Sequence, residues 1–127
     1  MTVSQVLAGK RILLVEDQFL IAMMLEQQLK QAGCVVTGPV ARLRPALDLA
    51  TREAFDFAVL DVDLFGEKVF PVAEMLEERG IDFILTTGYG EAAVPPGRHW
   101  QVLSKPYDPD QVLALIAASL GQAAARP

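Results

Sequence analysis

The feature that most limits the fold of this chain is a regular alternation of short apolar runs with longer stretches of helical periodicity. "RILLV" (Arg11 to Val15), "CVVTG" (Cys34 to Gly38), "FAVL" (Phe57 to Leu60), "DFILTT" (Asp82 to Thr87) and "QVLS" (Gln101 to Ser104) read as five short strands. Their apolar residues are continuous rather than alternating, as expected of strands covered on both faces. Between them, Ile21, Leu25 and Leu29 repeat at helical spacing within Gln18 to Gln31, and Gly33 supplies a stop. Pro45 fits the first turn of a helix reaching about Thr51, with Leu43, Leu47 and Ala50 on one side. Pro71 sits where a third helix can begin and run through "VAEMLEERG". Asp108 can cap a last helix, with Pro109 in its first position and Val112, Leu113, Ile116 and Leu120 as its apolar stripe. Alternating strands and helices imply an α/β domain, a parallel sheet wrapped by helices on both faces.

One interval breaks the rhythm. In "GYGEAAVPPGRHW" (Gly88 to Trp100), Pro95 and Pro96 forbid an ordinary helix, so a turn near Glu91 to Val94 is the most expected there.

The 127 residues suit one domain, 1–127, with a core over about 10–120, a short N-terminal extension and a frayed tail, "GQAAARP". No apolar run approaches the roughly 20 residues that cross a bilayer. The start, "MTVSQVLAGK", lacks the cationic opening of a signal peptide, so a cytoplasmic location is expected. A formal net charge of −5, with arginines scattered rather than clustered, argues against a sequence-independent nucleic-acid binder. Cys34, the single cysteine, is expected as a buried reduced thiol, Met23 and Met24 as core and flank of the first helix, "EMLEER" as a solvated helix face, and His99 in a solvated loop.

Ligands of open parallel sheets bind beyond the carboxyl ends of the strands. Strand one ends in Glu16 and Asp17, strand three in Asp61, strand four in Thr86 and Thr87, strand five in Ser104 and Lys105. Clustered carboxylates repel one another, and a hard divalent cation such as Mg²⁺ relieves that repulsion. A carboxylate at such a site can attack phosphorus to give an acyl phosphate, while a cation, Lys105 and a threonine hydroxyl neutralise the phosphoryl oxygens. A lone aspartate at Asp61 could instead cap a helix, but acids on strand one and "SKP" on strand five make that the weaker reading.

In this order, "LLVED", "VLDVDL", "ILTTGYG" and "SKPY" resemble the receiver domain of bacterial two-component response regulators, over about Lys10 to Leu120. The resemblance implies a flavodoxin-like, doubly wound (βα)₅ sheet of order 2-1-3-4-5 with a shortened or irregular fourth helix. It implies Asp61 as phosphoacceptor, Asp17 as direct Mg²⁺ ligand, Glu16 as a water-mediated one and the backbone carbonyl of Asp63 as another. Thr87 looks like the switch hydroxyl and Lys105 like the family's lysine, with a cis bond to Pro106. The aromatic usual three positions before that lysine is replaced by Val102, with Trp100 and Tyr107 nearby. That departure, the proline-broken fourth helix, and Phe83, Thr87, Gly88 and Tyr89 are similar to the receiver subgroup with the motif Pro-Phe-x-Phe-Ala-Thr-Gly-Tyr; Asp82, Leu85 and Thr86 differ from it.

The implied function is signalling, not metabolic catalysis. Asp61 would take a phosphoryl group from a sensor histidine kinase or histidine phosphotransferase and, with no output domain after Leu120, act by binding a partner or relaying phosphate. A homodimer stays open. Two rival readings are a phosphohydrolase of the haloacid dehalogenase type, suggested by "LDVDLF", and a degenerate receiver that works without phosphate.

Overall fold

In the computed structural model, which describes residues 2–125, five strands form one parallel sheet. They are β1 (Arg11–Val15), β2 (Val35–Val40), β3 (Phe57–Asp61), β6 (Asp82–Thr87) and β7 (Val102–Ser104). Their spatial order is β2-β1-β3-β6-β7, which in chain order of these five is the expected 2-1-3-4-5. Two further short strands, β4 (Asp63–Leu64) and β5 (Glu67–Lys68), pair antiparallel as a hairpin directly after β3.

The helices are α1 (Val3–Leu7), α2 (Phe19–Gln31), α3 (Leu43–Arg52), α4 (Phe70–Glu78) and α5 (Pro109–Ala125). Strand residues point to alternate faces, so consecutive apolar residues of one strand feed two cores. Leu14 and Val59 join Leu25, Leu29 and Ile116 under α2 and α5. Leu13, Ala58 and Leu60 join Ala46, Ala50 and Leu76 under α3 and α4. This is why the strands read as unbroken apolar runs. The Arg79 guanidinium donates to the carbonyls of Ala50 (2.5 Å) and Glu53 (2.7 Å), tying the end of α4 to the end of α3.

Between β6 and β7 there is a single 3-10 turn, Gly90–Ala93, where Pro95 and Pro96 exclude the full helix that would otherwise connect these strands. Trp100 closes this region by packing on Phe70 and Phe83, with ring centroids 6.0 and 5.7 Å away, and its Nε1 donates to Glu77 at 2.9 Å. Both Gly38–Pro39 and Lys105–Pro106 are cis. Cys34 is buried and His99 exposed.

Several expectations need correction. The N-terminal extension contains helix α1, held by a reciprocal capping box between Thr2 and Gln5, with Leu7 in the core and α1 packed on α5. The tail is helical to Ala125 rather than frayed from Gly121; Arg126 and Pro127 lie outside the described residues. Strand two extends past Gly38 to Val40. "EMLEER" is not wholly a solvated face, because Leu76 is fully buried. Met23 and Met24 are both exposed, since Ala22, Leu25 and Leu29 supply the inward face of α2.

Candidate functional site

Because the five main strands run parallel, their carboxyl ends open on one edge, and the polar residues that follow them are gathered there. In-register pairing sets Asp61 beside Thr86 and Thr87 beside Ser104, immediately before Lys105. Glu16 and Asp61 are buried, at 4% and 5% exposure, and Lys105 is half-buried between them. The Lys105 ammonium lies 3.1 Å from Glu16 Oε1 and 3.2 Å from Asp61 Oδ2. One carboxylate oxygen each from Glu16, Asp17 and Asp61 falls within 4.8 Å of the others.

Three carboxylates against one ammonium leave an excess of negative charge. Burial, then the hydrogen bond and charge of Glu16, push the Asp61 carboxyl up to about 8, with Lys105 pulling the other way. Burial alone would lower Lys105, but Asp61 and Glu16 outweigh it and hold the ammonium above its usual range. The Tyr107 phenol is raised by burial and then by the charges of Glu16 and Asp61, while its ring packs against the α2 and α5 core. In the sequence Tyr107 stands out only by its place directly after "SKP", two residues beyond Lys105.

Every buried polar side-chain atom among the described residues has a partner. The all-oxygen, anionic donor set suits a hard divalent cation, which would relieve the repulsion from Glu16 that adds to burial in raising the Asp61 carboxyl. The residues present therefore fit Mg²⁺.

The other residues singled out in the sequence fall around this cluster. Asp17, Asp61, Asp63, Tyr89, Lys105 and Pro106 border one pocket. Asp17 caps no helix; its Oδ2 accepts the backbone N–H of Phe65 at 3.1 Å. Asp61 caps none either, since a hairpin and not a helix follows it. The Asp63 carboxylate is ion-paired with Lys68 across that hairpin. Thr87 is buried, and its Oγ1 accepts the Tyr89 N–H at 3.1 Å. Val102 is packed against the α3 and α4 core, away from the pocket residues.

A family model described as "Response regulator receiver domain" matches residues 12–117. The chain belongs to the response regulator receiver domain family. No protein of curated function matches it. Among solved structures, this receiver is similar to the response regulator PhyR from Brucella abortus, with 29% identity and a TM-score of 0.80 over 95% of this chain and 52% of that one. The chain thus spans about half the length of PhyR. It is similar to SdrG from Sphingomonas melonis Fr1, with 40% identity and a TM-score of 0.71 over 94% of this chain and 98% of that one. It also shares its fold with the receiver domain of the sensor histidine kinase PA1611 from Pseudomonas aeruginosa, a structure with a magnesium ion in the active site cleft. There the identity is 24% and the TM-score 0.77, over 90% of this chain and 99% of that one. Among the described residues, no helix is long and apolar enough to cross a membrane.

Proposed function

We propose that this receiver accepts a phosphoryl group on Asp61 from a phosphohistidine of a sensor histidine kinase or histidine phosphotransferase. A carboxylate oxygen of Asp61 attacks phosphorus, the P–N bond breaks, and the imidazole leaves with its electron pair. Asp17, Glu16, Asp61 and the backbone carbonyl of Asp63 would hold Mg²⁺, which when bound neutralises charge on the phosphoryl oxygens. Lys105 serves a second oxygen and the Thr87 hydroxyl a third. The observation that carries this reading is the meeting of Asp61, Glu16 and Lys105 within 3.3 Å, from strand ends far apart in the chain.

The surface around the pocket supports a protein donor. Gln18 and Ile21 border the pocket, and the adjoining Phe19 and Leu20 are 71% and 74% exposed, with Met23 and Met24 also exposed on the same helix. Such an apolar patch fits the helices of a phosphohistidine-bearing partner. With Val102 in place of an aromatic, the switch is assigned to Thr87, whose hydroxyl already contacts the Tyr89 N–H, and to the Tyr89–Gly97 segment that follows. Similarity to SdrG, for which a BeF3-activated conformation is described, favours such a switch.

Incubation with acetyl phosphate and Mg²⁺ tests the reading. One acid-stable, base-labile phosphoryl group should appear on Asp61 and hydrolyse slowly. Absence of label would support a receiver working without phosphate, and rapid turnover of many phosphate esters would support a hydrolase.

A further inference from the structure

The turn of the β4–β5 hairpin carries an unusual backbone. Phe65 is the one non-glycine with positive φ among the described residues, at 49°, followed by Gly66 at 84°. A side chain with a Cβ resists this left-handed region, and a bulky aromatic gains nothing there from local hydrogen bonding. Phe65 is not held by the core either, since it is 57% exposed. Its ring is covered instead by the guanidinium of Arg42, whose Cζ lies 4.4 Å from the ring centroid. Arg42 comes from the β2–α3 connection, on another loop of the same rim.

The strained residue is also the one that reaches the acidic cluster. The Phe65 N–H donates to Asp17 Oδ2 at 3.1 Å, fixing a carboxylate that has an oxygen within 4.8 Å of oxygens of Glu16 and Asp61. The φ of Phe65 sets the direction of that N–H relative to the Phe65 ring, so holding the ring helps to hold the N–H. The geometry of the Asp17 carboxylate therefore depends on the Arg42 contact rather than on burial of Phe65 in the core.

We propose that Arg42 is a positioning residue for the divalent cation, acting through the Phe65 ring and the Phe65 N–H on Asp17. This rests on the reading of Asp17 as a Mg²⁺ ligand given above. Hydrogen bonds that orient a ligating carboxylate raise affinity for the ion without touching it. Arg42 differs from an ordinary cation near a metal site in the sign of its effect. By charge alone, removing it would lessen repulsion of Mg²⁺ and tighten binding. By positioning, removing it loosens the Asp17 carboxylate and weakens binding.

Titration calorimetry with Mg²⁺ alone decides between these, on the full chain. Arg42→Ala should weaken Mg²⁺ binding by about threefold to tenfold, below the range seen when a direct partner of a metal ligand is lost. Arg42→Lys, which keeps the charge but not the planar guanidinium, should fall between Arg42→Ala and the parent. In a Phe65→Gly background, Arg42→Ala should have no further effect, because the ring through which it acts is gone. The thermal midpoint of each variant without Mg²⁺ confirms that it is folded. Equal or tighter binding by Arg42→Ala, or an undiminished effect in the Phe65→Gly background, overturns the proposal while leaving the metal site intact. A parent protein that binds no Mg²⁺, or binds it equally well as Asp17→Asn, overturns the metal reading and this proposal together.

Discussion

The Lys105 ammonium stands 3.2 Å from the Asp61 carboxylate, although they are 44 positions apart in the chain, with four strands, β4 to β7, between them. Glu16 shares the same ammonium, so one cation serves two buried acids. The balance of charge in this small volume governs both how the site reacts and how firmly the domain holds together.

Asp61→Asn should abolish phosphoryl labelling by acetyl phosphate and also stabilise the protein. Asparagine keeps the shape and is neutral at every pH, so folding no longer requires the proton uptake that burial and Glu16 impose on the Asp61 carboxyl. An increase of about 1–2 kcal/mol in urea-unfolding free energy is expected at neutral pH without Mg²⁺. A less stable Asp61→Asn would show that the contact with Lys105 outweighs the repulsion from Glu16.

Stability without Mg²⁺ should fall as pH rises. Burial and then Glu16 push the Asp61 carboxyl up to about 8 in the fold, against about 4 for an unperturbed aspartate, so across that window the native state binds more protons than the unfolded chain. The stability linked to that proton is complete at the acid end and lost as pH climbs through the folded value. Denaturation curves at about pH 5 and about pH 8 in a chelator should show the decline, and saturating Mg²⁺ should restore stability mainly at the higher pH. Asp61→Asn should flatten the profile.

Lys105→Met should destabilise the Mg²⁺-free protein by about 2–4 kcal/mol, because it leaves Glu16 and Asp61 facing each other without a counter-charge. The loss should be larger at alkaline than at acid pH, where Asp61 is protonated. A pH-independent loss, read from the same denaturation series, would point to packing of the Lys105 stem instead.

Gly38→Ala should cost about 2 kcal/mol or more, and destabilise without affecting the acids directly. Gly38 has a φ of 112°, and an added Cβ would collide with the Leu14 carbonyl oxygen and lie 2.9 Å from the Val40 nitrogen. Thermal unfolding of the variant reads this; an unchanged midpoint would mean that β2 can shift away from β1.

What the sequence determined by itself was everything that depends on local periodicity and on where a strand stops. β1 and β6 occupy the residues read for them, α5 starts at Pro109 and α4 has Pro71 in its first turn, and Pro95 with Pro96 leaves a single 3-10 turn between β6 and β7. The polar residues that terminate strands were legible because a parallel sheet puts all those ends on one edge. The capping box of α1 was also written in the chain, as Thr2 and Gln5, but five residues carry too little apolar pattern to announce a helix. Tertiary structure alone decided the rest. Which methionines of α2 face outward depends on what packs beneath it, and Ala22, Leu25 and Leu29 already fill that side. The Phe65 N–H on Asp17 spans 48 residues and the Arg42 guanidinium on the Phe65 ring joins two separate loops. Contacts of that kind leave no periodic trace, because they arise from the closing of the sheet edge and not from the order of residues along any one element.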